Sequence, residues 1–257
     1  MLLIGVNLAI LILVFLPPKR KFVEGVVVFV GAPPVSNGGN TPGLTGPCAT
    51  NGGFNWARGS LSLSTNLNRK ELREAQDRVG GGLQTFGLSE VVVRIVLPLP
   101  TSLRPLETAD SNRRQVTVFE CGFRPRFLAI RTNESLDLVN SNGTPKTIVA
   151  GSSGTNAHAM VTWTPSSLGL LETVRFAQEQ FFVRLQPADN PALHGVIAVM
   201  GHPYFAMVDA DGVFRLPGGL PEEDFTLEAI HPTLGRREIR VQPRRPAGPL
   251  VIRFGAE

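Results

Sequence analysis

The chain has 257 residues, with 27 glycines, 21 prolines and only 18% charged residues, a mix that excludes intrinsic disorder and long helical assemblies and suits short strands joined by turns. Its formal charge of +4 comes from scattered arginines such as Arg124, Arg126, Arg236, Arg237, Arg244 and Arg245. Without a basic helix or a basic run interleaved with aromatics, no nucleic acid is expected as a partner, although the balance suits docking onto an acidic protein or an anionic membrane.

Taken from the N-terminus, Met1 to Leu16 carries no charge and is followed by Pro17-Pro18-Lys19-Arg20-Lys21. The apolar run is shorter than the about 20 residues that span a bilayer, and it lacks the leading charge and small-residue cleavage site of a signal peptide. Residues 1–21 are therefore expected to be a membrane anchor or signal-like segment with 1–16 meeting lipid; a short anchor, an unusual signal and a misassigned start codon all stay open. Phe22 to Val30 then reads as a β-branched strand ending at Gly31-Ala32-Pro33-Pro34. Residues 35–60, rich in Gly, Asn, Ser, Thr and Pro, have no hydrophobic period and read as a long loop. Asn68 with Glu71 three residues on makes a capping box, with Leu72, Ala75 and Val79 on one face and Gly80 to Gly82 as a stop, which predicts one short helix.

From residue 90 the chain returns to strands, predicted over 91–97, 115–119, 127–131, 135–140, 147–150, 159–164, 173–176 and 181–185, with turn residues between nearly all of them. A further strand is expected to lead into His202. After it come 206–208, the turn Asp209-Ala210-Asp211-Gly212, and strands over 213–216, 225–230, 237–241 and 250–254. Such spacing without helical periods argues for antiparallel β-sandwiches, and the length for two of them.

Cys48 and Cys121 are the only cysteines, each beside turn residues. In an exported protein one disulfide closing that long loop is the natural reading; two unrelated buried thiols is the other. The histidines do not converge by spacing. His194 and His202, eight apart on one strand, would be about 26 Å from each other, and His158 and His231 are isolated. The chain has no G-x-S-x-G elbow, no H-E-x-x-H and no phosphate loop, and Asp209-Ala-Asp211-Gly lacks the later carboxylates of a calcium loop. Trp56 and Trp163 read as packing residues before they read as a ligand platform.

Cys121-Gly-Phe-Arg-Pro-Arg-Phe-Leu-Ala-Ile, with Glu134-Ser-Leu-Asp-Leu-Val-Asn140-Ser141-Asn142 after it, resembles bacterial plastocyanin-like proteins of the methylamine-utilisation-like kind. The stretch from Gly195 through His202-Pro203-Tyr204-Phe205 to Phe214 resembles that family's junction into a carboxypeptidase-regulatory-like sandwich, and Phe225 to Gly235, including His231, resembles the next strand of that module. The resemblance implies an all-β fold: a degenerate cupredoxin-like sandwich over 22–200, followed by a small transthyretin or carboxypeptidase-regulatory-like sandwich over 201–257. It also places copper ligands where this chain has Lys146, Val149, Pro187, Asn190 and Leu193, none of them the imidazole or thiolate that a blue-copper ion needs.

The expected function is therefore non-catalytic and metal-free: a cofactor-free interaction or scaffold subunit, anchored on the periplasmic side of a bacterial membrane. The resemblance implies a larger redox or photosynthetic membrane complex as partner. The alternative is a periplasmic electron carrier with an atypical copper site, for which His158, His194 or His231 would have to converge in the fold. His202 and His231 are expected to bond turn backbone at the domain junction.

Overall fold

A computed structural model describes residues 23–30, 57–58, 85–88, 90–104, 106, 114–120, 122–141, 147–152, 159–163, 171–190, 193–209, 212–243 and 250–255. The N-terminal segment, the expected helix, Cys48, Cys121, Lys146 and His158 lie outside the described residues, as does nearly all of the 35–60 loop.

All regular structure in the described residues is β. The strands are β1 (Val23–Val30), β2 (Ala57–Arg58), β3 (Thr85–Leu88), β4 (Val92–Ile95), β5 (Arg114–Phe119), β6 (Gly122–Arg124), β7 (Phe127–Arg131), β8 (Leu136–Asn140) and β9 (Ile148–Ser152). They continue as β10 (Ala159–Trp163), β11 (Leu171–Val174), β12 (Gln180–Pro187), β13 (Gly195–Met200), β14 (Phe205–Met207), β15 (Val213–Leu216), β16 (Phe225–His231), β17 (Gly235–Val241) and β18 (Leu250–Gly255).

These strands make four sheets in two sandwiches. In the first sandwich, one sheet runs β15-β1-β3-β2 with β18 added in parallel to β1, and the other runs β14-β4-β16-β17. Between them lie Val23, Val27, Val91, Val93, Ile95, Phe214, Leu227, Ile252 and Phe254. In the second, the sheet β11-β8-β5-β6 faces the sheet β10-β9-β12-β13-β7. Val116, Val118, Ile130, Leu136, Leu138, Ile148, Val183, Leu185, Ile197 and Val199 fill that core. Alternation places them there: in β5, Val116 and Val118 are buried between more exposed neighbours, and in β12 Val183 and Leu185 flank exposed Arg184.

β13 breaks the alternation. Ile197 and Val199 point into the second core, yet Ala198 and Met200 are buried too, because with Val92, Phe127 and Ala129 they form an apolar layer between the sandwiches. A strand with both faces covered reads as a continuous apolar run, and Val-Ile-Ala-Val-Met is one.

The pairing redraws the division expected at residue 200. β1 pairs with β15 and β18, and β4 with β14 and β16, so two strands expected in the cupredoxin-like unit belong to the sandwich of the C-terminal strands. The second sandwich, β5 to β13, is inserted between β4 and β14 of the first. The β-branched run Val23–Val30 has high strand propensity, but propensity carries no information on the partner, and here that partner lies some two hundred residues away.

Candidate functional site

The positions where copper ligands were expected gather at one end of the second sandwich. Gln186 lies opposite Val149 and Pro187 opposite Ile148 in the β12–β9 pair, and the Ala188 N–H donates to the Thr147 carbonyl at 2.8 Å. A tight turn follows: the Asn190 N–H donates to the Pro187 carbonyl at 3.2 Å, and the Leu193 N–H to the Asn190 carbonyl at 3.1 Å. Four of the five positions, Val149, Pro187, Asn190 and Leu193, are thus brought to one end of the fold. Their chemistry does not fit a blue-copper ion, since Pro187 and Leu193 are buried, offer no side-chain lone pair and fill the space with carbon. Among the described residues no three His, Cys, Asp or Glu side chains are grouped as metal ligands.

His194 immediately precedes β13 at this end and His202 follows its other end, so the two imidazoles do not meet. His202, Pro203, Tyr204 and Phe205 form the return crossing from the second sandwich to the first. The Tyr204 N–H donates to His202 Nδ1 at 3.2 Å, and the Tyr204 hydroxyl donates to the Arg104 carbonyl at 3.0 Å. His202 is 9% exposed, its Nε2 has no hydrogen-bond partner among the described residues, and burial holds the ring below the ordinary imidazole range. The Tyr204 ring is seated by Gly218, whose φ of +90° suits glycine and where a Cβ would lie 2.8 Å from the ring.

His231 lies elsewhere than expected. It ends β16, packs on Phe254 with ring centroids 6.3 Å apart, and accepts at Nδ1 from the Thr233 and Leu234 N–H groups at 3.0 and 3.1 Å. It bonds turn backbone as predicted, but within the first sandwich. Phe225, Leu227 and Ala229 of β16 point into that core, and period two carries His231 onto the same face.

What joins the sandwiches is a charged and aromatic cluster. Arg94 on β4 gives Nε to Glu228 Oε2 and Nη1 to Glu179 Oε1, both at 2.7 Å, while Arg236 Nη1 reaches Glu228 Oε1 at 3.3 Å. The Phe181 ring of β12 lies 4.5 Å from the Arg94 guanidinium carbon and 4.2 Å from that of Arg236. Glu179 also accepts from the Gly201 N–H at 3.1 Å, which ties the return crossing into the same cluster. The Glu228 carboxylate, 3% exposed, is tolerated because both of its oxygens meet guanidinium donors. Sequence reasoning passed over Arg94 and Glu228; the signal was a charge at a core-like position of Val-Val-Val-Arg-Ile-Val and of Phe-Thr-Leu-Glu-Ala-Ile.

Neither a family description nor a curated protein matches the chain. Similar solved structures include a purple cupredoxin from Nitrosopumilus maritimus, 15% identical, covering 34% of this chain and 99% of its own, with a TM-score of 0.30. A copper-containing nitrite reductase from Thermus scotoductus SA-01 is 14% identical over 41% of this chain and 28% of its own, at 0.29. A reduced amicyanin variant is 13% identical over 42% of this chain and 99% of its own, also at 0.29. The described residues are all-β, and these similar structures are cupredoxins or contain copper. That assignment concerns fold, and fold leaves function to the residues at the site.

Proposed function

We propose that the chain is a non-catalytic, metal-free interaction subunit, related to the plastocyanin-like proteins that carry a carboxypeptidase-regulatory-like second sandwich. It sits on the periplasmic side of a bacterial membrane as an accessory to a larger electron-transfer complex of the respiratory or photosynthetic kind. The observation that carries this reading is the end of the inserted sandwich, where Val149, Pro187, Asn190 and Leu193 stand together in place of a ligand set. A domain that keeps this architecture and fills its ligand end with carbon has surface left to offer, and with it a role in binding. The apolar segment 1–16 supplies the tether.

The test is isolation of the native protein from membranes in mild detergent, with subunit identification by mass spectrometry and copper measured on the same fractions. Co-migration with larger redox subunits at sub-stoichiometric copper supports the reading. Recovery as a free monomer removes the partner. Stoichiometric copper with a visible charge-transfer band would replace the reading by the electron-carrier alternative.

A further inference from the structure

The strand pairing fixes which end of the first sandwich the N-terminal segment enters. Val23 opens β1 opposite Leu216 of β15, and two residues beyond Leu216 a Cβ on Gly218 would lie 2.8 Å from the Tyr204 ring. The Tyr204 carbonyl accepts from the Ile95 N–H at 3.2 Å, and the Thr226 carbonyl from the Val96 N–H at 2.9 Å. Val23 is therefore at the end where β4 finishes, β16 begins and the chain crosses to the inserted sandwich. The loops 96–104 and 217–224 lie at this same end, joined by Glu223, which accepts from the Thr101 and Ser102 N–H groups and from the Thr101 hydroxyl.

The inserted sandwich lies alongside with its ligand end pointing the other way. Arg94, next to Ile95, meets Glu179, whereas Glu90, two residues before β4, faces Arg126 at 3.9 Å. Arg126 Nη2 stands 3.4 Å from His194 Nε2, and His194 follows Leu193 of the ligand-end turn. Val149, Pro187, Asn190 and Leu193 are thus at the opposite end of the molecule from Val23.

Loop 96–104 has an exposed apolar tip. Leu97 is 63% exposed, with Pro98 exposed beside it. Met207, the other large apolar side chain exposed among the described residues, instead accepts at its sulfur from the Ala129 N–H at the seam between the sandwiches. Residues 17–22 connect the apolar run to Val23 and reach at most about 25 Å when fully extended. That is no more than the length of β1 itself, eight residues or about 25 Å. A chain held in lipid through residues 1–16 brings the Val23 end to the bilayer easily; the opposite end would require the whole connector to run back along β1.

We propose that this end of the first sandwich lies on the membrane surface, with Leu97 and Pro98 in contact with lipid and the ligand end of the inserted sandwich turned to the aqueous side. This orientation rests on the tether reading of residues 1–16. Tethering makes the loop's encounter with lipid intramolecular, so one leucine is enough to bias an orientation that it could not hold alone. The contact is apolar, because the exposed Arg104 and Arg240 at this end are offset by the exposed Glu222 and Asp224, and Asp224 meets Arg240 at 3.2 Å. A neutral bilayer therefore suffices to test it.

The test uses the full chain reconstituted into phosphatidylcholine vesicles, as the parent and as the variants Leu97→Trp and Asp189→Trp, the second on the exposed turn of the ligand end. Tryptophan emission is compared between ordinary vesicles and vesicles brominated near the headgroup end of one acyl chain, and the parent signal from Trp56 and Trp163 is subtracted. All three proteins should float with the vesicles in a density gradient. The added emission of Leu97→Trp should be blue-shifted and quenched by the brominated lipid, while that of Asp189→Trp keeps its intensity. A chain that stays in the aqueous fraction overturns the tether and this orientation with it. Flotation with an unquenched Leu97→Trp, or with quenching at Asp189→Trp, overturns the orientation alone and leaves the tether standing.

Discussion

Acid should weaken this fold through His231, and the size of the effect follows from its surroundings. The residue is 1% exposed, and its Nδ1 lone pair is taken by two backbone N–H groups, those of Thr233 and Leu234. Burial lowers the ring pKa to about 4, against about 6.5 in an unfolded chain. Between those values the unfolded state binds a proton that the folded state refuses, so stability is full above about pH 6.5 and falls as the pH drops toward 4. At about 1.4 kcal/mol per unit, the loss is about 2 kcal/mol by pH 5 and about 3 kcal/mol once pH 4 is passed. His231→Asn keeps a side-chain acceptor for the turn and removes the titration. Urea unfolding of parent and variant at pH 7, 6, 5 and 4 reads the difference, in which the carboxylates and His202 cancel because both proteins carry them. The stability advantage of the parent should shrink by about 3 kcal/mol over that range. A difference that stays constant with pH would refute the assignment of acid sensitivity to this ring.

Glu228→Gln removes the carboxylate charge that both Arg94 and Arg236 meet, and should cost about 3–5 kcal/mol in urea unfolding. Gly218→Ala must place a methyl against the Tyr204 ring at a φ of +90°, so a loss of about 1–3 kcal/mol is expected, visible as a lower Tm. Leu138→Ala, at a fully buried position of the inserted core, should cost about 2–5 kcal/mol, read by chemical denaturation. Asp209→Ala takes away the carboxylate that accepts from the Val213 N–H at 2.8 Å, and should cost about 1 kcal/mol in the same assay.

Much of the strand content was legible because alternation is a local property. Phe127–Arg131 and Val213–Leu216 appear at the predicted residues, and most other strands differ by one or two at their ends. Gly122–Arg124 escaped because Gly-Phe-Arg before a proline has neither alternation nor length, and Thr85–Leu88 because four residues containing a glycine carry little propensity. Partner choice was not legible: Val23–Val30 gives no sign that it belongs with Leu250–Gly255. At the site, Val149, Pro187, Asn190 and Leu193 could be located by resemblance, and the fold brings them to one end. His202 and His231 both accept from turn backbone, His202 at the return crossing and His231 at the end of β16 rather than at the junction where it was expected.

The nesting of one sandwich in the other explains where the charges lie. The chain leaves the first sandwich after β4 and returns at β14, and these strands are neighbours, with Phe205 opposite Arg94. Departure and return are therefore side by side, the geometry in which an inserted domain leaves its host undisturbed. Two hinge-like crossings alone would let the inserted sandwich swing. The contacts along β4 oppose this at both ends, for Glu90 just before the strand faces Arg126, while Arg94 near its end holds Glu179, and the apolar layer around Val92 and Met200 lies between. A swing about the crossings would have to expose that layer, separate Arg94 from Glu179 and pull the Phe181 ring away from Arg94 and Arg236, so apolar burial and a charge-assisted contact are lost together.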